Sequence, residues 1–133
     1  MSLRVGLSLA NALAWSLKVP MAGVHLSDLW HARMPEESDA LWLHSTKKEL
    51  LFVRGFGNLA KEIPEAILVT FEELKKDIRD SADFIGELIP EHAKVLPVTM
   101  VENLRPADDV LPVILETLTY ASAPLLPWYG RGI

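Results

Sequence analysis

The stretch ALWLHSTKKELLFVRGF, residues 40–56, decides the fold. Its two apolar runs, 40–43 and 49–56, flank the polar interval HSTKK. A parallel crossover needs about a dozen residues or more, so the two runs read as an antiparallel hairpin. Gly55 and Gly57 punctuate its end. Downstream, residues 66–70 (AILVT) read as another strand, and FEELKKDIRD follows with Phe71, Leu74 and Ile78 on one helical face. Residues 83–88 (DFIGEL) make a further strand with Gly86 at its exit, and PEHAKVL a short helix. A last helix spans 105–120, or starts nearer Asp109 because Pro112 would otherwise fall inside it. The tail APLLPWYGRGI is too rich in proline and glycine for regular structure.

Upstream, Pro35 ends a short helix SDLWHARM, with Ser27 as its expected N-cap and Asp28 in its first turn. The apolar residues 21–26 (MAGVHL) suit a buried strand. Residues 3–20, LRVGLSLANALAWSLKVP, form an opening helix with two apolar sets. Leu3, Leu7, Ala10, Ala14 and Leu17 make the main stripe, while Val5, Leu9, Ala12, Leu13 and Trp15 point elsewhere. A helix apolar nearly all round calls for cover on more than one side. Alternating strands and helices define an α/β class, a mixed sheet with flanking helices, in a single domain over residues 1–133.

Half of the 133 residues are apolar and 23% are charged, which fits one packed core. The net charge of −5 argues against a general phosphate-binding surface, leaving only a local basic patch at Lys47, Lys48 and Arg54. Cysteine is absent, which excludes disulfides, thiolate ligands and a cysteine nucleophile. The opening apolar run is interrupted by Ser8, Asn11 and Ser16 and falls short of the roughly 20 residues of a membrane span. No small-residue cleavage pattern precedes Lys18 and Pro20, so the expected location is the cytoplasm rather than outside the cell.

No self-contained active site emerges from the side chains. His25, His31 and His44 share a region with Glu36, Glu37 and Asp39, yet none forms an i, i+4 pair or H-E-x-x-H pattern, and His44 is expected to be solvated in the hairpin turn. Ser8, Ser16, Ser27, Ser45 and Thr46 could act as nucleophiles, but no G-x-S-x-G turn presents one, and Ser8 suits helix packing. Gly55-Phe56-Gly57 lacks the further glycine and lysine of a phosphate loop. Glu72 with Glu73, and Asp108 with Asp109, read as solubilising charges. No metal or cofactor is called for. Tryptophan is more informative: Trp30 and Trp42 suit the core, whereas Trp15, in line with Arg4, Ser8 and Asn11, suits an interface. Arg4, Leu7, Ser8, Asn11 and Trp15 are therefore the candidate partner-binding residues.

The run LRVGLSLANALA, residues 3–14, resembles the L-R-I-G-x-x-x-A-x-x-L-A helix of the TsaB (YeaZ) family, the bacterial partner proteins of threonylcarbamoyladenosine (t6A) tRNA modification. Residues 20–29, PMAGVHLSDL, are similar to that family's P-L-x-G-V-S-S-L-E-x-L segment. Phe84-Ile85-Gly86-Glu87 resembles its later apolar-Gly-acid step, and Pro127-Trp128-Tyr129-Gly130-Arg131 its closing P-x-Y-x-R. Of its D-A-R-R-G-E-V-Y turn only the basic character and Glu49 survive. The likeness is loose over residues 58–119. The family's G-P-G-S-F-T-G loop, which comes immediately before the helix, has no counterpart, so the expectation is the C-terminal part of such a protein without its N-terminal half.

The resemblance implies a partial actin-like (ribonuclease H-like) domain and a noncatalytic scaffold without a cofactor. It also implies pairing with TsaD, the threonylcarbamoyl-transferring enzyme, through helices including this one, with tRNA met only through the complex. Two other readings stand beside it. One is a small α/β enzyme or ligand-binding domain using His25, His44 and nearby carboxylates; the other is a remnant that pairs with a second copy of itself.

Overall fold

A computed structural model of the chain describes residues 3–117. The hairpin is its centre: β1 (Ala40–Ser45) pairs antiparallel with β2 (Leu50–Phe56), which in turn pairs antiparallel with β3 (Ile67–Thr70). On the other side of β1, β4 (Ala82–Glu87) runs parallel to it, and β5 (Val98–Met100) runs parallel to β4. The order β3-β2-β1-β4-β5 gives the expected mixed α/β sheet, consistent with a ribonuclease H-like arrangement.

Alternation along the strands sorts the core onto two faces. Leu41, Leu43, Leu51, Val53 and Phe84 point to one, where they pack with Leu74 of α3 (Phe71–Asp77) and with Leu96, the C-cap of α4 (Pro90–Val95). Ala40, Trp42, Phe56 and Ile85 point to the other, packed with Met34 and the half-buried Trp30. That second face is covered by α2 (Leu26–Ala32), against which α5 (Ala107–Thr117) packs. Local chemistry fixes the helix ends. The Thr70 hydroxyl accepts the Glu73 N–H at 3.2 Å, with Glu72 and Glu73 in the first turn of α3 and Lys75 and Lys76 in its last. At the end of α2, the Arg105 guanidinium donates to the Ala32 and Met34 carbonyls at 2.7 and 3.0 Å.

Several expectations are corrected. Residues 21–26 form no strand; Met21 makes an isolated bridge, residues 22–25 run as a connection, and Leu26 begins α2. The N-cap of α2 is His25 rather than Ser27, because the imidazole Nδ1 takes the Ser27 N–H. His44 is not in the turn but within β1, half-buried and stacked on Trp42 with ring centroids 5.8 Å apart. The strand β5 has no counterpart among the expected elements. Pro112 does sit inside α5, where its missing N–H removes the bond that Asp108 would otherwise receive. The tail, with Pro127 to Arg131, lies outside the described residues.

Candidate functional site

The opening helix α1 (Leu3–Leu17) has no buried residue among those described. Leu7, Ala10 and Ala14 of the main stripe are half-buried, but Leu17, expected with them, is exposed. The second apolar set is exposed: Val5, Leu9 and Leu13 are 55, 54 and 52% exposed, and Trp15, which points to another side of the helix, is 84% exposed. Val5, Leu9 and Leu13 recur every four residues and so line one side of the helix. Hydrocarbon held in water along more than two turns marks an interaction surface.

The five candidate residues do not all share it. Trp15 and Ser8 are exposed, so Ser8 is not enclosed by a packing interface among the described residues. Leu7 and Asn11 are half-buried, and the Arg4 side chain lies outside the described set. Leu9 and Leu13 are what the candidate set missed. Their signal was present in the i, i+4 apolar spacing, which the polar line Arg4-Ser8-Asn11 obscured.

A second group of side chains gathers where α2 meets the sheet. Two donors, the Ser27 N–H at 3.0 Å and the Ser27 hydroxyl at 2.7 Å, aim at His25 Nδ1. In the neutral ring the proton therefore sits on Nε2. The Arg54 guanidinium donates to Ser27 Oγ and to Asp28 Oδ1, both at 2.8 Å. His25 meets the edge of Trp42, centroids 5.5 Å apart, and its ring joins Asp28 and His31 in lining a cavity of about 370 Å³. His31 is otherwise engaged, stacked on Phe56 and 3.3 Å from Glu37 Oε1. Trp42 Nε1, His44 Nδ1 and Arg54 Nε are buried and find no hydrogen-bond partner among the described residues. Among those residues, too, no three His, Asp or Glu side chains come together as a metal site.

Burial holds His25 below its ordinary value of 6.5; the Asp28 carboxylate opposes the shift and the Arg54 guanidinium adds to it. The folded state therefore binds fewer protons at this ring than the unfolded chain does. Stability contributed here is complete above pH 6.5 and falls as pH drops through 6.5 towards the depressed folded value. Protonation also converts the Nδ1 acceptor into a donor, which removes the cap of α2. Asparagine caps without titrating, so His25→Asn is expected to retain the helix and flatten this part of the profile. Urea melts of both proteins from pH 7.5 to 5 read the difference, in which the other histidines cancel.

Like Ser27 beside His25, Ser45 is an expected nucleophile that touches a histidine: its Oγ is 2.8 Å from Nδ1 of His92. The ring is fully buried, its Nε2 is 2.7 Å from the Lys48 carbonyl, and Ser45 Oγ accepts the Ile89 N–H at 3.0 Å. Each of these polar groups is satisfied by a neighbour that joins α4 to the hairpin, which makes the pair a structural clasp. Set against protein-family models and against curated proteins, the chain matches none of them.

Proposed function

We propose that the chain is an interaction protein of t6A tRNA modification, a noncatalytic cytoplasmic partner that pairs with a TsaD-like threonylcarbamoyltransferase through α1. The observation that carries this reading is the exposed apolar surface of Leu9, Leu13 and Trp15, on the helix whose residues 3–14 resemble the TsaB helix. Chemistry on this reading belongs to the transferase, and tRNA is reached through the complex. No described helix is long and apolar enough to cross a membrane.

The test is co-expression with a TsaD-like enzyme, followed by affinity measurement on Leu9→Asp/Leu13→Asp. Interface leucines that become buried on association each contribute on the order of 1–2 kcal/mol, and a buried unpaired carboxylate adds cost, so affinity is expected to fall about a hundredfold or more. Because both side chains are more than half exposed, the melting temperature should stay within a few degrees. Absence of any complex with the transferase overturns the reading, and a homodimer dissociated by the same variant assigns the surface to a second copy.

A ligand-binding reading is favoured by one observation, the cavity where His25, Asp28 and His31 converge. Binding of a small ligand that is lost in Asp28→Asn, with α1 variants unaffected, would establish it instead.

A further inference from the structure

On the opposite face of the sheet from α2 lies a cleft of about 480 Å³, within the size range of small-molecule sites. Its floor is apolar and comes from alternate strand positions: Leu41 on β1, Val53 on β2, and Ile67 and Val69 on β3. Leu41 and Val53 are 7 and 1% exposed, so the floor belongs to the core. Ile63 and Ile78, both half-buried, wall it from the two sides.

The cleft follows from the way the chain crosses this face. The seven-residue α3 contributes Leu74 and Asp77, and its C-cap Ile78, to one side of the cleft. The other wall is held by Gly55, whose N–H donates to the Ile63 carbonyl at 2.9 Å. A Cβ at Gly55 would lie 2.3 Å from the Leu59 carbonyl oxygen, so only glycine lets the 3-10 turn Gly57–Lys61 pack this closely over β2.

Charge on the rim is one-sided. Glu62, Asp77 and Asp80 line the cleft, against a single cation, Arg79. Arg79 Nε donates to the Lys76 carbonyl at 3.3 Å, which ties its guanidinium back to the end of α3. A hydrocarbon floor with a carboxylate rim is complementary to a molecule with an apolar body and a cationic head. We infer that this cleft binds a small amphipathic cation, its hydrocarbon or aromatic part on Ile63, Ile67 and Val69 and its ammonium group among Glu62, Asp77 and Asp80. The site is independent of the reading of α1, since it uses neither that helix nor the α2 face.

The experiment is an amide NMR titration of the whole chain with 4-phenylbutylamine, 4-phenylbutanol and 4-phenylbutyrate, which share one apolar body and differ in head-group charge. Saturable shifts are expected at Val53, Ile67, Val69, Leu74 and Ile78. The amine should bind about tenfold more tightly than the carboxylate, because the rim attracts one head group and repels the other. Asp77→Asn/Asp80→Asn, at exposed positions that leave the core intact, should reduce amine affinity at least about threefold and leave the alcohol unchanged. Ile78→Trp, which fills the mouth, should weaken all three ligands. Equal affinity for amine and carboxylate, shifts confined to other surfaces, or no saturable binding of the amine at millimolar concentration would each overturn the assignment.

Discussion

Gly86→Ala is expected to leave the protein unable to hold its native sheet. Gly86 sits in β4 opposite Leu43 of β1, with φ at +125°, a conformation that residues carrying a Cβ rarely adopt. A Cβ there would lie 2.0 Å from the Leu43 carbonyl oxygen, and Leu43 is fully buried between neighbours that cannot retreat. Strain in the disfavoured backbone region costs about 1–3 kcal/mol, and overpacking a rigid site about the same again. The sum, about 2–6 kcal/mol, reaches the lower end of the whole stability of a small domain, about 5–15 kcal/mol. Loss of the near-ultraviolet circular dichroism and of a cooperative urea transition is the expected readout. Ile85→Val, one residue away, only trims a buried methylene and should cost about 1 kcal/mol. If Gly86→Ala melted within about 1 kcal/mol of the wild type, on the scale of such ordinary trimming, the parallel pairing of β1 with β4 would be wrong.

The elements that were legible in the sequence are those whose signal is local. The hairpin over residues 40–56 declares itself through two apolar runs and a polar interval that only an antiparallel turn can bridge, and β1 and β2 lie there. The strand β5 could not be read in this way. Its three residues follow Pro97, too few for a periodicity, and its extended form is stabilised by pairing with Ala82 to Phe84 of β4. Residues 21–26 misled for the converse reason. An apolar run by itself does not distinguish a strand from a packed connection, and here Val24 and His25 line the cavity beside α2 while His25 spends its ring on the helix cap.

The candidate site divides along the same line. The apolar spacing of Val5, Leu9 and Leu13 was visible, and these residues form the exposed surface. The half-burial of Leu7 and Asn11 depends on what surrounds α1, which spacing within one helix does not encode. The cleft under α3 was out of reach, because Leu41, Val53, Ile67 and Asp80 become neighbours only through the sheet order and the close approach that Gly55 permits.

His92→Ala is expected to cost about 3–5 kcal/mol, the larger part of a small domain's margin. The imidazole is fully buried in α4 with its ring 4.3 Å from that of Phe71, so truncation opens a cavity in a site that several elements enclose. It also removes the partner of the Lys48 carbonyl and of the Ser45 hydroxyl, whose contacts bridge 44 and 47 residues of chain. An orphaned buried group costs about 1–3 kcal/mol, in addition to the cavity. Ser45→Ala tests the same clasp from the other end. It leaves the ring packed but deprives Ile89 N–H and His92 Nδ1 of their common partner, so a loss of about 1–2 kcal/mol is expected. Because the two side chains share one network, the double variant should lose less than the sum of the single losses, by about 1 kcal/mol or more. Amide exchange locates the effect. The Thr46 and Lys47 N–H groups donate to the Leu50 carbonyl in the hairpin turn, and their protection should fall in His92→Ala even under conditions where the centre of β1 stays protected. Strict additivity of the two substitutions would break the clasp as an explanation, whereas coupling places the stability of the central hairpin in a contact between its turn and the last crossover of the sheet.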